Sequence, residues 1–269
     1  MLDVSTLVFV HAHPDDEATQ TSGTMARAVA EGHRVVLVLC TDGSQGEVPD
    51  DLAEGEDVVA RRRAESAESA RVLGTHRVAW LGYRDSGMTG WDANEHNDSF
   101  HLADLEEAAR RLADILDEED ADVVSGYDWH GNYGHPDHVK VHPVTWRAAA
   151  LAKRRPRVLE STMNRDLMRR VYEQAKAAGS DLHFDPDAMG DDGNPIGTPE
   201  AELHWRVDIS GYLEQKRQAL LSHASQATDI GGLTGMPEDA FATAMGLEHF
   251  REHGRPNGMV LGWPFGDSA

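Results

Sequence analysis

Two nearly matching tetrapeptides, His13-Pro14-Asp15-Asp16 and His135-Pro136-Asp137-His138, crowd imidazoles and carboxylates into very short stretches of chain. Between them they supply two imidazoles and a carboxylate for one divalent cation. Spare carboxylates and a spare imidazole are left beside it. That is the inventory of a hydrolytic metal site, in which three protein ligands leave a position for water. Taken alone, the first segment reads equally well as a helix cap with acidic first-turn residues, and the second as surface histidines on a first turn. Two matching half-sites argue for a site, provided the fold brings them together. Pro14 holds His13 extended and suits the first position of a helix, and a second helix is expected to start at Pro136.

The elements that must do this are legible. Apolar, β-branched runs recur at Leu7–Val10, Val35–Cys40, Arg77–Leu81, Val123–Tyr127 and Val158–Thr162, with a later candidate at Trp205–Ile209. Helical patterns lie between them at Thr19–Glu31, Val58–Leu73, Leu102–Glu119, Pro136–Ala152 and Arg165–Ala178. This alternation predicts an α/β, Rossmann-like, mostly parallel sheet with helices on both faces. Ligands then sit at the carboxyl ends of the strands, where both His-Pro-Asp segments emerge. The expected organisation is a single domain over 1–269. Its core, 1–165, holds both half-sites, and 166–269 forms a C-terminal elaboration. The Gly-, Pro- and Asp-rich stretch 181–199 reads as an irregular insertion, and Glu47–Asp57 as an acidic loop that shapes the pocket.

At this point the chain resembles the PIG-L/LmbE-like zinc-dependent N-deacetylases, close to the mycothiol-pathway deacetylase and conjugate amidase. The resemblance runs through His11-Ala12-His13-Pro14-Asp15-Asp16-Glu17, Arg62-Arg63-Ala64-Glu65, Leu81-Gly82-Tyr83-Arg84-Asp85-Ser86-Gly87-Met88 and Gly134-His135-Pro136-Asp137-His138. A weaker echo joins Lys216 and Ala219-Leu220 to His223-Ala224-Ser225-Gln226. The resemblance implies that His13, Asp16 and His138 bind one zinc ion, with ferrous iron also tolerated by such ligands. It implies that Asp15 is the general base and that His135, oriented by Asp137, faces the oxyanion or protonates the amine. Tyr133 would swing toward the oxyanion, while Arg62 and Asp85 would bind sugar hydroxyls. The simpler roles for the last two are an ion pair with Glu65 and a cap on the turn at Ser86-Gly87. Trp129-His130 departs from the family's usual small or polar residues, and Trp129 is expected either to stack on substrate or to wall the loop.

The implied activity is removal of an acetyl group from an N-acetylglucosamine-type sugar by zinc-activated water. The alternatives are an amidase acting on a mycothiol-like thiol conjugate or another small amide, and an inactive sugar- or metal-binding module. A carboxylate base and a His135 imidazolium together predict a bell-shaped pH–rate profile.

Composition narrows the partners. With 25 Lys+Arg against 47 Asp+Glu, the net charge of -22 repels phosphate backbones and anionic lipid, so neither nucleic acid nor membrane is expected. The expected partner is a small acetamido sugar or amide, and homo-oligomerisation is left open. No signal peptide or membrane-length segment is seen. The single Cys40 reads as a buried strand residue and excludes an intrachain disulfide, so a cytoplasmic location is expected. His249-Phe250-Arg251-Glu252-His253 matches the inverted zinc-protease pattern, but is expected to be a helix end closed by Gly254.

Overall fold

The computed structural model describes residues 4–177, 179, 185–256 and 258–265. Five strands, β1 (Thr6–His11), β2 (Arg34–Thr41), β3 (Arg77–Tyr83), β4 (Val123–Tyr127) and β5 (Arg157–Thr162), run parallel in the order β3-β2-β1-β4-β5. Three more, β6 (Trp205–Asp208), β7 (Leu247–Glu252) and β8 (Val260–Leu261), extend the same sheet. There β7 lies antiparallel to both β5 and β6, and β8 lies parallel to β6.

The helices are α1 (Asp16–Gln20), α2 (Ser22–Ala30), α3 (Val58–Leu73), α4 (Leu105–Glu118), α5 (Pro136–Leu151), α6 (Arg165–Ala177), α7 (Leu213–Ser222), α8 (Ala227–Thr234) and α9 (Glu238–Met245). Along β1 the pleat sends Val8 and Val10 to one face, with Leu112, Leu116, Val141 and Val144 of α4 and α5. It sends Leu7 and Phe9 to the other, with Met25, Leu73, Leu220 and Phe241 of α2, α3, α7 and α9. Both faces are covered, which is why the central strands read as unbroken apolar runs. Cys40 is buried in β2, as expected.

Local signals set the ends of α3. The Asp57 carboxylate accepts from the Ala60 amide, and Gly74 closes the helix at φ 73°. Three expectations need correction. The helix expected over Thr19–Glu31 is two helices, broken at Thr21. His249–Glu252 belongs to strand β7 rather than to a helix end, because Phe250 and Glu248 point inward between packed layers. Pro14 precedes α1, whose cap is Asp15. Within the stretch 181–199, residues 181–184 lie outside the described residues; 185–199 is irregular and carries only isolated bridges. Residue 178, placed in the last expected helix, also lies outside them.

The break at Thr21 is held from far away in the chain. Glu248 of β7 accepts from the Gly23 and Thr24 amides at 3.0 and 2.8 Å, anchoring the positive end of α2. Lys216 of α7 donates to Thr19 O and to Glu248 Oε1, both at 2.8 Å, and both side chains are buried. Removing one partner of such a pair leaves an uncompensated charge. Lys216→Met is therefore expected to lower the unfolding free energy by about 3–5 kcal/mol, measured by urea titration. A loss no larger than that of a surface pair, about 1 kcal/mol or less, would show that the pair is not electrostatically isolated.

Candidate metal centre and catalytic site

The strand order reverses between β1 and β4, and the carboxyl ends of these two strands flank the crevice where ligands bind in such sheets. The first half-site leaves β1 after His11. Asp15 then adopts φ 100°, ψ -26°, a conformation that costs a non-glycine residue about 1–3 kcal/mol. This turn brings the Asp16 carboxylate back to accept from the His13 amide at 2.8 Å, and Glu17 accepts from the Asp15 amide at 3.1 Å. The second half-site leaves β4 through a loop in which Gly131 has φ 64°. A Cβ there would lie 2.3 Å from the His138 Cβ, so only glycine permits this approach. His135 caps α5, and Pro136 is its first residue, as expected.

Three side-chain atoms converge. His13 Nδ1 lies 3.2 Å from His138 Nε2, and Asp16 Oδ2 lies 3.5 and 3.3 Å from these two nitrogens. Ligands about 2.0–2.1 Å from a tetrahedral zinc are separated by about 3.3–3.4 Å, so the triangle has the size of one face of such a site. The other face of His13 supports this. Its Nε2 is 3.1 Å from Asp137 Oδ2 and 3.4 Å from Asp85 Oδ1, so the neutral ring keeps its proton on Nε2 and offers the Nδ1 lone pair to a metal. The residues therefore fit a divalent ion. Looser groupings also bring His135 within 4.8 Å of His13 and His138, and of His13, Asp85 and Asp137. His135 Nδ1, however, accepts from the Asp137 amide at 3.1 Å, which leaves Nε2 carrying the proton in the neutral ring. That nitrogen is a donor, not a ligand.

Asp16, Asp85 and Asp137 give this buried pocket a strong demand for positive charge. In the metal-free protein His13 answers it. Burial disfavours its charged form, but Asp85, Asp137 and Asp16 outweigh burial and raise its pKa well above the ordinary value. Burial would raise Asp16, yet His138 and His13 hold it well below the carboxylate range. Asp15 goes the other way. Burial raises it to about 7, against the pull of Arg62 and with the push of Asp16. Burial, then the proximity of His13 and His138, lowers His135 to about 2. The expected His135 imidazolium is thus corrected to a neutral imidazole.

Other expected roles shift as well. Asp137 does not orient His135 through its carboxylate. It accepts from His13, from the Ser86 amide at 2.9 Å and from the Ser86 hydroxyl. Arg62 forms no pair with Glu65. It is buried and donates to Pro14 O, to Gly43 O at 2.7 Å and to Asp15 Oδ2 at 2.9 Å. Asp85 accepts from the Gln45 and Gly87 amides at 3.1 and 2.8 Å, the turn-capping role, while also facing His13. Tyr133 brings its hydroxyl to 3.3 Å from His138 Nε2, at the edge of the triangle. Trp129 is 53% exposed, so its ring is open to solvent rather than a packed wall. Sequence reasoning missed Tyr127, which stacks on His138 with ring centroids 4.7 Å apart and bonds His11 Nδ1 at 2.9 Å. It also gave no role to Ser86, whose signal was its place beside Asp85 in the Leu81–Met88 motif.

Known proteins resemble this chain in sequence and in fold. Residues 8–149 match the family model described as PIG-L, GlcNAc-PI de-N-acetylase. The chain is 36% identical to a 1D-myo-inositol 2-acetamido-2-deoxy-alpha-D-glucopyranoside deacetylase of Thermobispora bispora, across 98% of this chain and 93% of that protein. Its fold is similar to that of N,N'-diacetylchitobiose deacetylase from Pyrococcus horikoshii, at 23% identity and a TM-score of 0.57, covering 93% of this chain and 84% of that one. It is equally similar in fold to GalB, the 4-carboxy-2-hydroxymuconate hydratase of Pseudomonas putida, at 15% identity, TM-score 0.57 and coverage of 96% and 100%. Fold alone therefore does not choose the reaction.

Two outcomes test the site. Metal entry must displace the His13 proton, so divalent affinity should rise with pH and binding should release protons, as read by calorimetry in buffers of different ionisation enthalpy. Asp137→Asn should weaken metal affinity about 10–100-fold by loosening His13. Unaltered affinity would return Asp137 to the role of orienting His135.

Proposed function

The chain belongs to the GlcNAc-PI de-N-acetylase (PIG-L) family, and from that premise we propose that it is a metal-dependent hydrolase of the acetamide in an N-acetylglucosamine-type substrate. The products are acetate and the free sugar amine. The observation that carries this reading is the ligand-sized triangle of His13, Asp16 and His138 beside Asp15, a carboxylate outside the triangle whose pKa lies near 7. A divalent ion held by those three residues, zinc by donor type and ferrous iron as the second choice, would polarise the carbonyl and acidify a water.

The chain's own groups do the rest. Asp15 takes a proton from the attacking water as its oxygen bonds to the acetyl carbon. Arg62 fixes the direction in which that carboxylate points. Neutral His135 donates its Nε2 proton in a hydrogen bond to the carbonyl oxygen as negative charge grows there, as a neutral imidazole can. The Tyr133 hydroxyl is placed to serve as a second donor. Asp15 then returns its proton to the nitrogen as the C–N bond breaks; the water's second hydrogen leaves with the acetic acid and passes to the amine, giving acetate and the ammonium form of the sugar. The relatives' glucosaminyl-inositol activity supports an acetamido sugar linked to inositol as the substrate, and the open face of Trp129 is available to stack on it.

A chelator should abolish amine release from such a substrate and zinc should restore it; full activity in metal-free protein would overturn the reading. Asp15→Asn should lower kcat by about 10²–10⁴-fold while keeping one metal per chain. Because Asp15 works deprotonated, kcat/KM should fall on acidification. The value of about 7 belongs to the metal-free protein and a bound dication lowers it, so this limb should lie between about 4 and 7. His135→Ala should cost about 10²–10³-fold in kcat without creating or removing a limb of the profile. Loss of metal in that variant would make His135 a ligand.

A further inference from the structure

Two restraints hold Asp15 in its unfavourable backbone conformation. Its amide is bound by Glu17 Oε2 at 3.1 Å, and its carboxylate is bound by Arg62 at 2.9 Å. Both restraints lead to one short segment more than two hundred residues away. The other oxygen of the fully buried Glu17 accepts from His223 Nε2 at 2.7 Å and from the Ser69 hydroxyl at 2.6 Å. One turn beyond Arg62 on α3, Glu65 accepts from the Ser225 amide at 2.8 Å and its hydroxyl at 2.6 Å. The next side chain, Gln226, pairs with both backbone groups of Glu47, accepting at 3.0 Å and donating at 3.2 Å, and so ties down the loop after Gly43.

Resting on the deacetylase reading, we infer that His223 and Ser225 are positioning residues for the general base. His223 acts through Glu17 on the Asp15 backbone, and Ser225 acts through Glu65 and α3 on the arginine that aims its carboxylate. Neither touches the triangle of metal donors. A buried carboxylate such as Glu17 keeps a fixed orientation only while its hydrogen-bond partners are present. With His223 gone, Glu17 is free to turn toward Ser69, and the Asp15 amide loses its acceptor. A base displaced by about 1 Å can cost on the order of 10²-fold in rate.

The test compares full-length, zinc-loaded wild type, His223→Leu, His223→Gln and Ser225→Ala, using an N-acetylglucosaminyl-inositol substrate. His223→Leu should lose on the order of 10²-fold in kcat, with KM and metal content unchanged. His223→Gln keeps an N–H donor and should recover most of that loss. Ser225→Ala, the milder variant, should lower kcat in the same direction and decides the matter if His223→Leu does not fold. Amide hydrogen exchange supplies a readout that needs no substrate: Asp15 should exchange faster in His223→Leu while Val8–Val10 of β1 do not. Unchanged kcat and exchange, equal loss in the Leu and Gln variants, or loss of metal in parallel with rate would each overturn the inference. A wild type inactive on every acetamido sugar would sink the deacetylase reading alone, since the exchange comparison still decides the positioning role.

Discussion

Three carboxylates buried around one imidazole are the constraint to which the rest of this site answers. Asp16, Asp85 and Asp137 all approach His13 within 3.5 Å, in surroundings where unbalanced charge is costly. A cation must therefore reside there, as a proton on the ring or as a metal ion against its Nδ1. The backbone amides of His13, Gln45, Ser86 and Gly87 share the remaining negative charge. Asp15 is outside this arrangement, and burial, only partly offset by Arg62, leaves it a carboxyl poised near neutrality. Ligand and base are thus neighbours in the chain, yet their surroundings shift their acidity in opposite directions.

The sheet converts that electrostatic demand into a place. β1 and β4 deliver the two half-sites to adjacent strand ends, and β3 delivers Asp85 and Ser86 from the far side. The C-terminal region does more than widen the sheet. Through Lys216 and Glu248 it holds open the joint between α1 and α2, and through His223, Ser225 and Gln226 it grips the turn, the helix and the loop around the base.

Much of this was legible in the residues. The parallel core could be read from unbroken β-branched runs, because strands covered on both faces need no polar alternation. The span of α3 matches the helical pattern Val58–Leu73, and α5 starts at Pro136 as expected. The triangle members were all among the residues that the paired motifs singled out. What failed were features decided by distant partners. The pattern Thr19–Glu31 runs on as one helix, since nothing local announces the break that Glu248 stabilises. β7 hid because its buried positions include Glu248 and His249, which resemble a surface until their partners are known. Asp137 was assigned to its sequence neighbour His135, whereas the turn of the helix carries it to His13 across the crevice.

The break at Thr21 has a consequence for the order in which the protein matures. During synthesis the chain emerges from its amino end, and early segments collapse before late ones exist. Every donor of the triangle has been made once residue 138 is complete. The amides at the start of α2 nevertheless wait for Glu248, and the carbonyl of Thr19 waits for Lys216. These are contacts of very large sequence separation, the kind that form slowly. A nascent chain can thus hold a nearly finished sheet around a loose amino-terminal turn, and rigidity reaches that turn only when β7 docks beside β5. Quality of assembly at the carboxyl end is in this way read out at the opposite end of the polypeptide.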